Sequence, residues 1–280
     1  MKTVTSVSGG KTSAYLAANY PTDYNVFSLV RVDDKACKFR DEKIRLLVED
    51  KIQKPFIGTV EDDMIIYTIL DLEQFLGKDI FWVSGDTFDE VLKKKSGYLP
   101  NKLKRFCTTH LKIEPIFYWW AEHISSPIIM NFGYRANEVI RAKKMRKKVN
   151  DKGLLEMKAT FGYHDNGKRK WELIAWQKPN FPLIDDFIFK DKIVNYWSDK
   201  KVRFAERNNC IGCFYKNPML LNKMFQKFPE KMNWFKKQEL EKQSRWRSDV
   251  SYSQIKNYKP TIEIQFDDFS DCDSGFCEFL

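Results

Sequence analysis

The segment Ser8-Gly9-Gly10-Lys11-Thr12-Ser13 constrains this chain more than any other, because it joins a strand-like run at residues 3–7 to a helix-like run at 12–20. Glycines let the backbone approach an anion with no Cβ in the way, and N–H groups at a helix start, with hydroxyls around them, form a ready anion site. Ending in Gly10-Lys11-Thr12, the loop invites comparison with a Walker phosphate loop, which needs a glycine five residues before Gly10. Position 5 is Thr5, so that reading fails. The plain alternative is a strand-to-helix turn with a serine cap.

Beyond the loop, short apolar runs alternate with amphipathic ones, the pattern of a parallel sheet covered by helices on both faces. Strands are expected at 25–32, 55–60, 79–84 and 128–132, and helices at 41–51, 61–76, 87–95 and 111–124. Asp165-Asn166-Gly167 is a hairpin signal, so 158–176 reads as a two-stranded excursion. The chain then turns helical and rich in Lys, Phe and Trp. The organisation expected is an α/β domain over 1–190, a helical cysteine-bearing region over 191–266 and an acidic tail over 267–280. No apolar stretch has the length of a membrane span and no signal peptide opens the chain, which reads as cytoplasmic.

Ser-Gly-Gly-x-x-Ser resembles the PP-loop of the adenine nucleotide α-hydrolase superfamily. Three further segments occur in the order of phosphoadenosine phosphosulfate (PAPS) reductase family proteins. Arg105-Phe106-Cys107-Thr108-Thr109-His110-Leu111-Lys112-Ile113-Glu114-Pro115 is similar to the family's Cys-Thr-x-x-x-Lys-x-x-Pro segment. Gly133-Tyr134-Arg135-Ala136-Asn137-Glu138-Val139-Ile140-Arg141 is similar to its anion-binding Gly-x-Arg-x-x-Glu/Gln-Ser-x-x-Arg stretch, with Val139 in place of the serine. Phe181-Pro182-Leu183-Ile184-Asp185 resembles the Pro-Leu-Ile element that closes the core domain. Together they cover roughly residues 3 to 216.

The resemblance implies a Rossmann-like PP-loop fold. It implies an adenine nucleotide, ATP or PAPS/APS, with Mg2+ as an additional candidate. Ser8, Gly9, Gly10, Lys11, Thr12 and Ser13 would hold phosphate, Asp33 or Asp34 the ribose, and Arg135 and Arg141 an anion. Arginine forks suit phosphate and sulfate oxygens. Both arginines reach one anion only if Arg135 sits in the turn before a helix; otherwise they are solvated beside Lys143, Lys144, Arg146, Lys147 and Lys148.

Six cysteines in a chain of this kind argue against a secreted disulfide scaffold. Cys210-Ile211-Gly212-Cys213 alone is half a zinc site, half an iron–sulfur site or a redox dithiol. Cys107 stands where cluster-bearing family members place ligands, although Thr108 replaces the second cysteine of their pair. A [4Fe–4S] set of Cys107, Cys210 and Cys213 would therefore need Cys272 or Cys277 as its fourth donor. Cys277 is also the candidate nucleophile, since sulfonucleotide reductases carry theirs on a C-terminal tail; the tail here lacks their Glu-Cys-Gly-x-His motif. Its acidic neighbours would raise the thiol's pKa.

A net charge of +10 favours anionic partners, with the 143–148 cluster placed to track a phosphate backbone if it acts at all. Three functions are open at this point. One is a sulfonucleotide-reductase-type enzyme served by an electron or sulfur donor protein. A second is an adenylating sulfurtransferase acting on nucleic acid, similar to DNA phosphorothioation enzymes. The third is a non-catalytic nucleotide sensor.

Overall fold

In the computed structural model, which describes residues 1–207 and 209–258, the alternation of strand and helix builds one six-stranded sheet. β1 (Thr3–Val7) leads through the glycine loop into α1 (Lys11–Asn19), and β2 (Tyr24–Ser28) comes next. α2 (Glu42–Ile52) starts where Asp41 accepts the Ile44 N–H, and α3 (Met64–Leu76) buries Ile65, Ile66, Ile69 and Leu72 along one stripe. After β3 (Ile80–Val83) comes α4 (Phe88–Lys94), opened by a capping box of Thr87 and Glu90. α5 (Phe106–Thr108) runs through a π turn into α6 (Glu114–His123), which leads to β4 (Ile128–Asn131). Then come α7 (Val139–Arg146), β5 (Leu155–Tyr163) and β6 (Arg169–Asn180). Five more helices close the described chain: α8 (Pro182–Asp185), α9 (Lys190–Trp197), α10 (Pro218–Lys227), α11 (Pro229–Lys242) and α12 (Tyr252–Asn257).

The strand order is β3-β2-β1-β4-β6-β5, parallel throughout except for β5 against β6. The chain therefore winds outward from β1 to β3, returns, and continues on the other side of β1. That reversal opens a crevice beyond the C-terminal ends of β1 and β4, where open α/β sheets take ligands. Three buried clusters hold the layers together. Residues of α1, α3 and α9 form one cluster, and α6 and α7 contribute to a second. The third joins α10, α11 and α12 to Val30, Val91 and Leu111 beyond the strand ends.

The structure corrects several expected elements. Residues 55–60 form no strand: Gly58 makes isolated antiparallel bridges to Val32 and Lys38. Pro55 has no N–H to give a ladder, and the chain crosses Cys37 so closely that a Cβ on Gly58 would meet its carbonyl oxygen at 1.7 Å. The helix expected from Glu61 begins at Met64 instead, and Glu61 is buried ahead of it. The hairpin near 158–176 is longer than expected and is not a separate excursion. β6 continues to Asn180 and pairs with β4 from Ile128↔Gln177 to Asn131↔Asn180, so its second half is a strand of the main sheet. Cys272, Cys277 and the 267–280 tail lie outside the described residues.

Candidate active site

The loop expected to bind phosphate is held in shape by its own serines. The Ser8 N–H donates to Ser13 Oγ at 3.1 Å, Ser13 Oγ donates to the Gly10 carbonyl at 3.1 Å, and the two hydroxyls lie 3.1 Å apart. Gly9 turns the chain with φ +77°, and a Cβ there would stand 2.7 Å from Ile65 Cγ2. Both requirements exclude other residues. Gly10 precedes α1 in extended backbone. The Trp197 indole N–H donates to the Lys11 carbonyl at 3.0 Å, tying the loop to α9.

Chain reversal brings the stretch expected to bind an anion against this loop. A Cβ on Gly133 would lie 3.4 Å from Thr12 Cγ2 and 3.5 Å from the Ser13 nitrogen. Arg135, only 9% exposed, stands in extended backbone before the 3-10 turn Ala136–Glu138, which is the position the spacing required. It lines a cavity of about 560 Å3 with Gly10, Lys11, Thr12, Lys190 and Trp197. That volume is in the range of small-molecule sites, which run from roughly 300 to 1,000 Å3. Arg141 reaches the same neighbourhood through Glu138. One Glu138 oxygen accepts from the Arg135 backbone N–H at 2.9 Å and its Nε at 3.2 Å, and the other accepts from Arg141. The Arg141 guanidinium also stacks on Tyr134, 4.3 Å from the ring centroid. Glu138 thus fixes both arginines and cancels part of their charge.

Asp33 and Asp34 face another way. Asp33 accepts from Thr87 Oγ1 at 2.6 Å, and its own N–H donates to Asp89 at 2.9 Å. Asp34 accepts from the Ala36 N–H and pairs with Lys237 at 3.0 Å; against its burial, these bonds hold its carboxyl below the usual range. Neither lines the cavity at the loop.

Cys107, Cys210 and Cys213 come together in a small pocket of about 50 Å3, walled by Leu111, Phe235 and Trp246. Its backbone is pinned on several sides. The Ile211 N–H donates to Val60 O at 2.8 Å, Tyr252 Oη to Gly212 O at 2.7 Å, and Arg247 to the Phe214 and Lys216 carbonyls at 2.8 Å. Gly212 lies so close to Phe235 that a Cβ would meet the ring at 2.4 Å. Burial pushes the Cys107 thiol up to about 11 and the Cys210 thiol well above its ordinary value, with the Glu61 carboxylate adding to the second effect. Both are neutral thiols near pH 7. Cys37 is separate, fully buried and pushed up to about 12 by desolvation.

Lys112 and Glu61 make a buried pair at 2.8 Å beside these thiols. Desolvation, the largest effect, opposes the lysine's charge, but Glu61 together with Cys210 and Cys213 raises the Lys112 pKa. Lys112 also lines a narrow gap with Ser6, Val7 and Ser8, so it lies between the glycine loop and the thiol pocket. The Cys-Thr-x-x-x-Lys segment contained Lys112, whereas no motif marked Glu61. A separate cleft of about 1050 Å3 runs along β3, lined by residues that include His110, Glu114, Tyr118, Arg169 and Trp171. His110 Nδ1 lies 2.7 Å from Glu114 Oε2 across one helical turn.

No family model, curated protein or solved structure matches this chain. What the structure itself defines is an α/β protein with a mostly parallel six-stranded sheet and a cavity at its switch point. Among the described residues, no group of three or more His, Cys, Asp and Glu side chains is placed to hold a metal ion, and no helix is long and apolar enough to cross a membrane.

Proposed function

We propose that this chain is a PP-loop enzyme that binds an adenine nucleotide at the switch-point cavity and carries out sulfur chemistry in the manner of the PAPS reductase family. The observation that carries the reading is the meeting of the two predicted anion-binding segments: Gly133 against Thr12 and Ser13, with Arg135 over the same cavity. Backbone N–H groups of the loop and the Arg135 guanidinium bind phosphate or sulfate oxygens, while Glu138 keeps Arg135 aimed. Lys11 adds charge at the mouth.

The first reading is sulfonucleotide reduction. A thiolate attacks the sulfur, an S–S bond forms, the S–O bond to phosphate breaks, and the adenosine nucleotide leaves with the electron pair. A second thiol from a donor protein then attacks the cysteine sulfur, releasing sulfite and leaving a disulfide. Cys277, the nucleophile expected for this step, lies outside the described residues. Cys107 and Cys210 are unsuited to it, because desolvation keeps them protonated.

Thiols are the donors an iron–sulfur cluster takes, and three share one pocket. The described donors alone do not complete a cluster site. The basic stretch that runs from α7 into β5 and β6 favours a second reading, ATP-dependent sulfur transfer to nucleic acid, in which an oxygen of the nucleic acid attacks the α-phosphate of ATP, pyrophosphate leaves, and sulfur from a donor then displaces AMP.

Product analysis separates the two. Anaerobically purified protein is given PAPS with a dithiol, or ATP with a nucleic acid and a sulfur donor. Sulfite release supports the first reading, and pyrophosphate release the second. Either activity should vanish in Gly10→Val. Release that persists in Gly10→Val would overturn the site assignment.

A further inference from the structure

The chain's positive charge is concentrated in one stretch. Residues 143–170 hold ten Lys and Arg against three Asp and Glu; six of the ten lie on α7 and the turn after it and four on the ribbon, where Lys170 pairs with Glu172 at 2.9 Å. This stretch runs from α7 into the ribbon of β5 and β6, whose tip turns at Gly167. A basic stretch of this kind favours an anionic partner.

The same ribbon exposes large rings. Phe161 is 62% exposed, Tyr163 68% and Trp171 51%. Their placement is dictated by register. Lys158 pairs with Leu173 and Tyr163 with Arg169, and the bulge between Ala159 and Gly162 sets residues 160 and 161 opposite Trp171. Paired residues share a face, as do alternate residues of a strand. Lys158, Phe161, Tyr163, Arg169 and Trp171 therefore occupy one face, and the Lys158 amine lies 5.9 Å from the Trp171 ring centroid. Phe161 is used internally, packing on Phe117 and Tyr118 at 6.0 and 5.8 Å and bracing the ribbon against α6. Among the described residues no ring packs on Tyr163 or Trp171. Arg169 and Trp171 form one wall of the cleft along β3, so this face continues into a concavity of about 1050 Å3.

We propose that this ribbon is an arm that binds single-stranded nucleic acid. Bases stack on Tyr163 and Trp171, and the phosphates run past Lys158 and Arg169 on the same face. Aromatic platforms interleaved with lysines and arginines are what an unpaired strand recognises, whereas a duplex hides its base faces. The inference rests on the arm alone and is independent of what the switch-point cavity binds.

The test is fluorescence anisotropy with labelled oligo-dT, oligo-U and a duplex, across a salt series and without nucleotide. Wild-type protein should bind the single strands more tightly than the duplex. Trp171→Ala and Tyr163→Ala should each weaken single-strand binding about tenfold, with Trp171→Phe restoring most of the loss. Exchanging Lys158 and Arg169 together for Gln should flatten the log–log salt slope by about 1.4. A preference between oligo-dT and oligo-U assigns the strand as DNA or RNA. Circular dichroism and ATP binding of the variants should stay unchanged, since these side chains are exposed and remote from the loop. The proposal is overturned by absence of single-strand binding, by tighter binding of the duplex, or by unaltered binding in Tyr163→Ala and Trp171→Ala.

Discussion

Gly9→Ala is the substitution whose cost the structure lets us work out most directly. Gly9 sits at φ +77°, where an L-residue is disfavoured by roughly 1–2 kcal/mol. Its new methyl would also stand 2.7 Å from Ile65 Cγ2 in a well-packed cluster, an overpacking that costs about 1–3 kcal/mol. Together these make roughly 2–5 kcal/mol, a large part of an ordinary domain's stability of about 5–15 kcal/mol. The two contributions separate in a double-mutant cycle. Ile65→Ala removes the clashing methyl at its own cavity cost, and in that background Gly9→Ala should lose only the backbone part, about 1–2 kcal/mol. Urea unfolding of the four proteins measures this. Equal costs of Gly9→Ala in both backgrounds would refute the steric half of the argument. A cost below about 0.5 kcal/mol in the wild-type background would refute both halves.

Two further outcomes are expected. Lys112→Met leaves the Glu61 carboxylate buried without its cation and should cost about 3–5 kcal/mol, whereas Lys112→Met with Glu61→Leu should recover most of it, as chemical unfolding can show. Asp23 accepts from the Thr3 N–H at 2.7 Å and Thr3 Oγ1 at 2.8 Å, bonds that draw its pKa down to about 2. Because the folded value is depressed, the associated stability is present above the unfolded pKa of about 3.9 and is lost as pH falls towards 2. Urea midpoints of wild type and Asp23→Asn should therefore converge between those pH values; parallel curves would exclude this linkage.

The readable parts of the fold were those governed by local chemistry. The helices expected at 41–51 and 87–95 stand where Asp41 and Thr87 cap them, and the glycine loop announced the turn from β1 to α1. What stayed hidden depends on contacts between distant residues. Residues 55–60 have strand-like composition, but only the crossing at Cys37 shows that they bridge rather than pair. Pro179 made the end of β6 look unlike a strand, yet it pairs with Met130 inside the sheet. Glu61 and Lys112 meet across 51 positions that no periodicity links. At the candidate site, Arg135 lay where spacing required, whereas Asp33 and Asp34, carried by resemblance alone, turned towards Thr87, Asp89 and Lys237. Backbone turns were legible in the sequence, whereas the direction in which a side chain points was not.

The central claim is that the switch-point cavity holds an adenine nucleotide, and calorimetric titration of ATP and PAPS into wild type, Arg135→Ala and Gly10→Val tests it most directly. At least one nucleotide should bind the wild type with one-to-one stoichiometry. Loss of the charge-assisted bonds of Arg135 should weaken it by about tenfold or more, and Gly10→Val should abolish it. Failure of both nucleotides to bind the wild type, or equal affinity in all three proteins, would contradict the account.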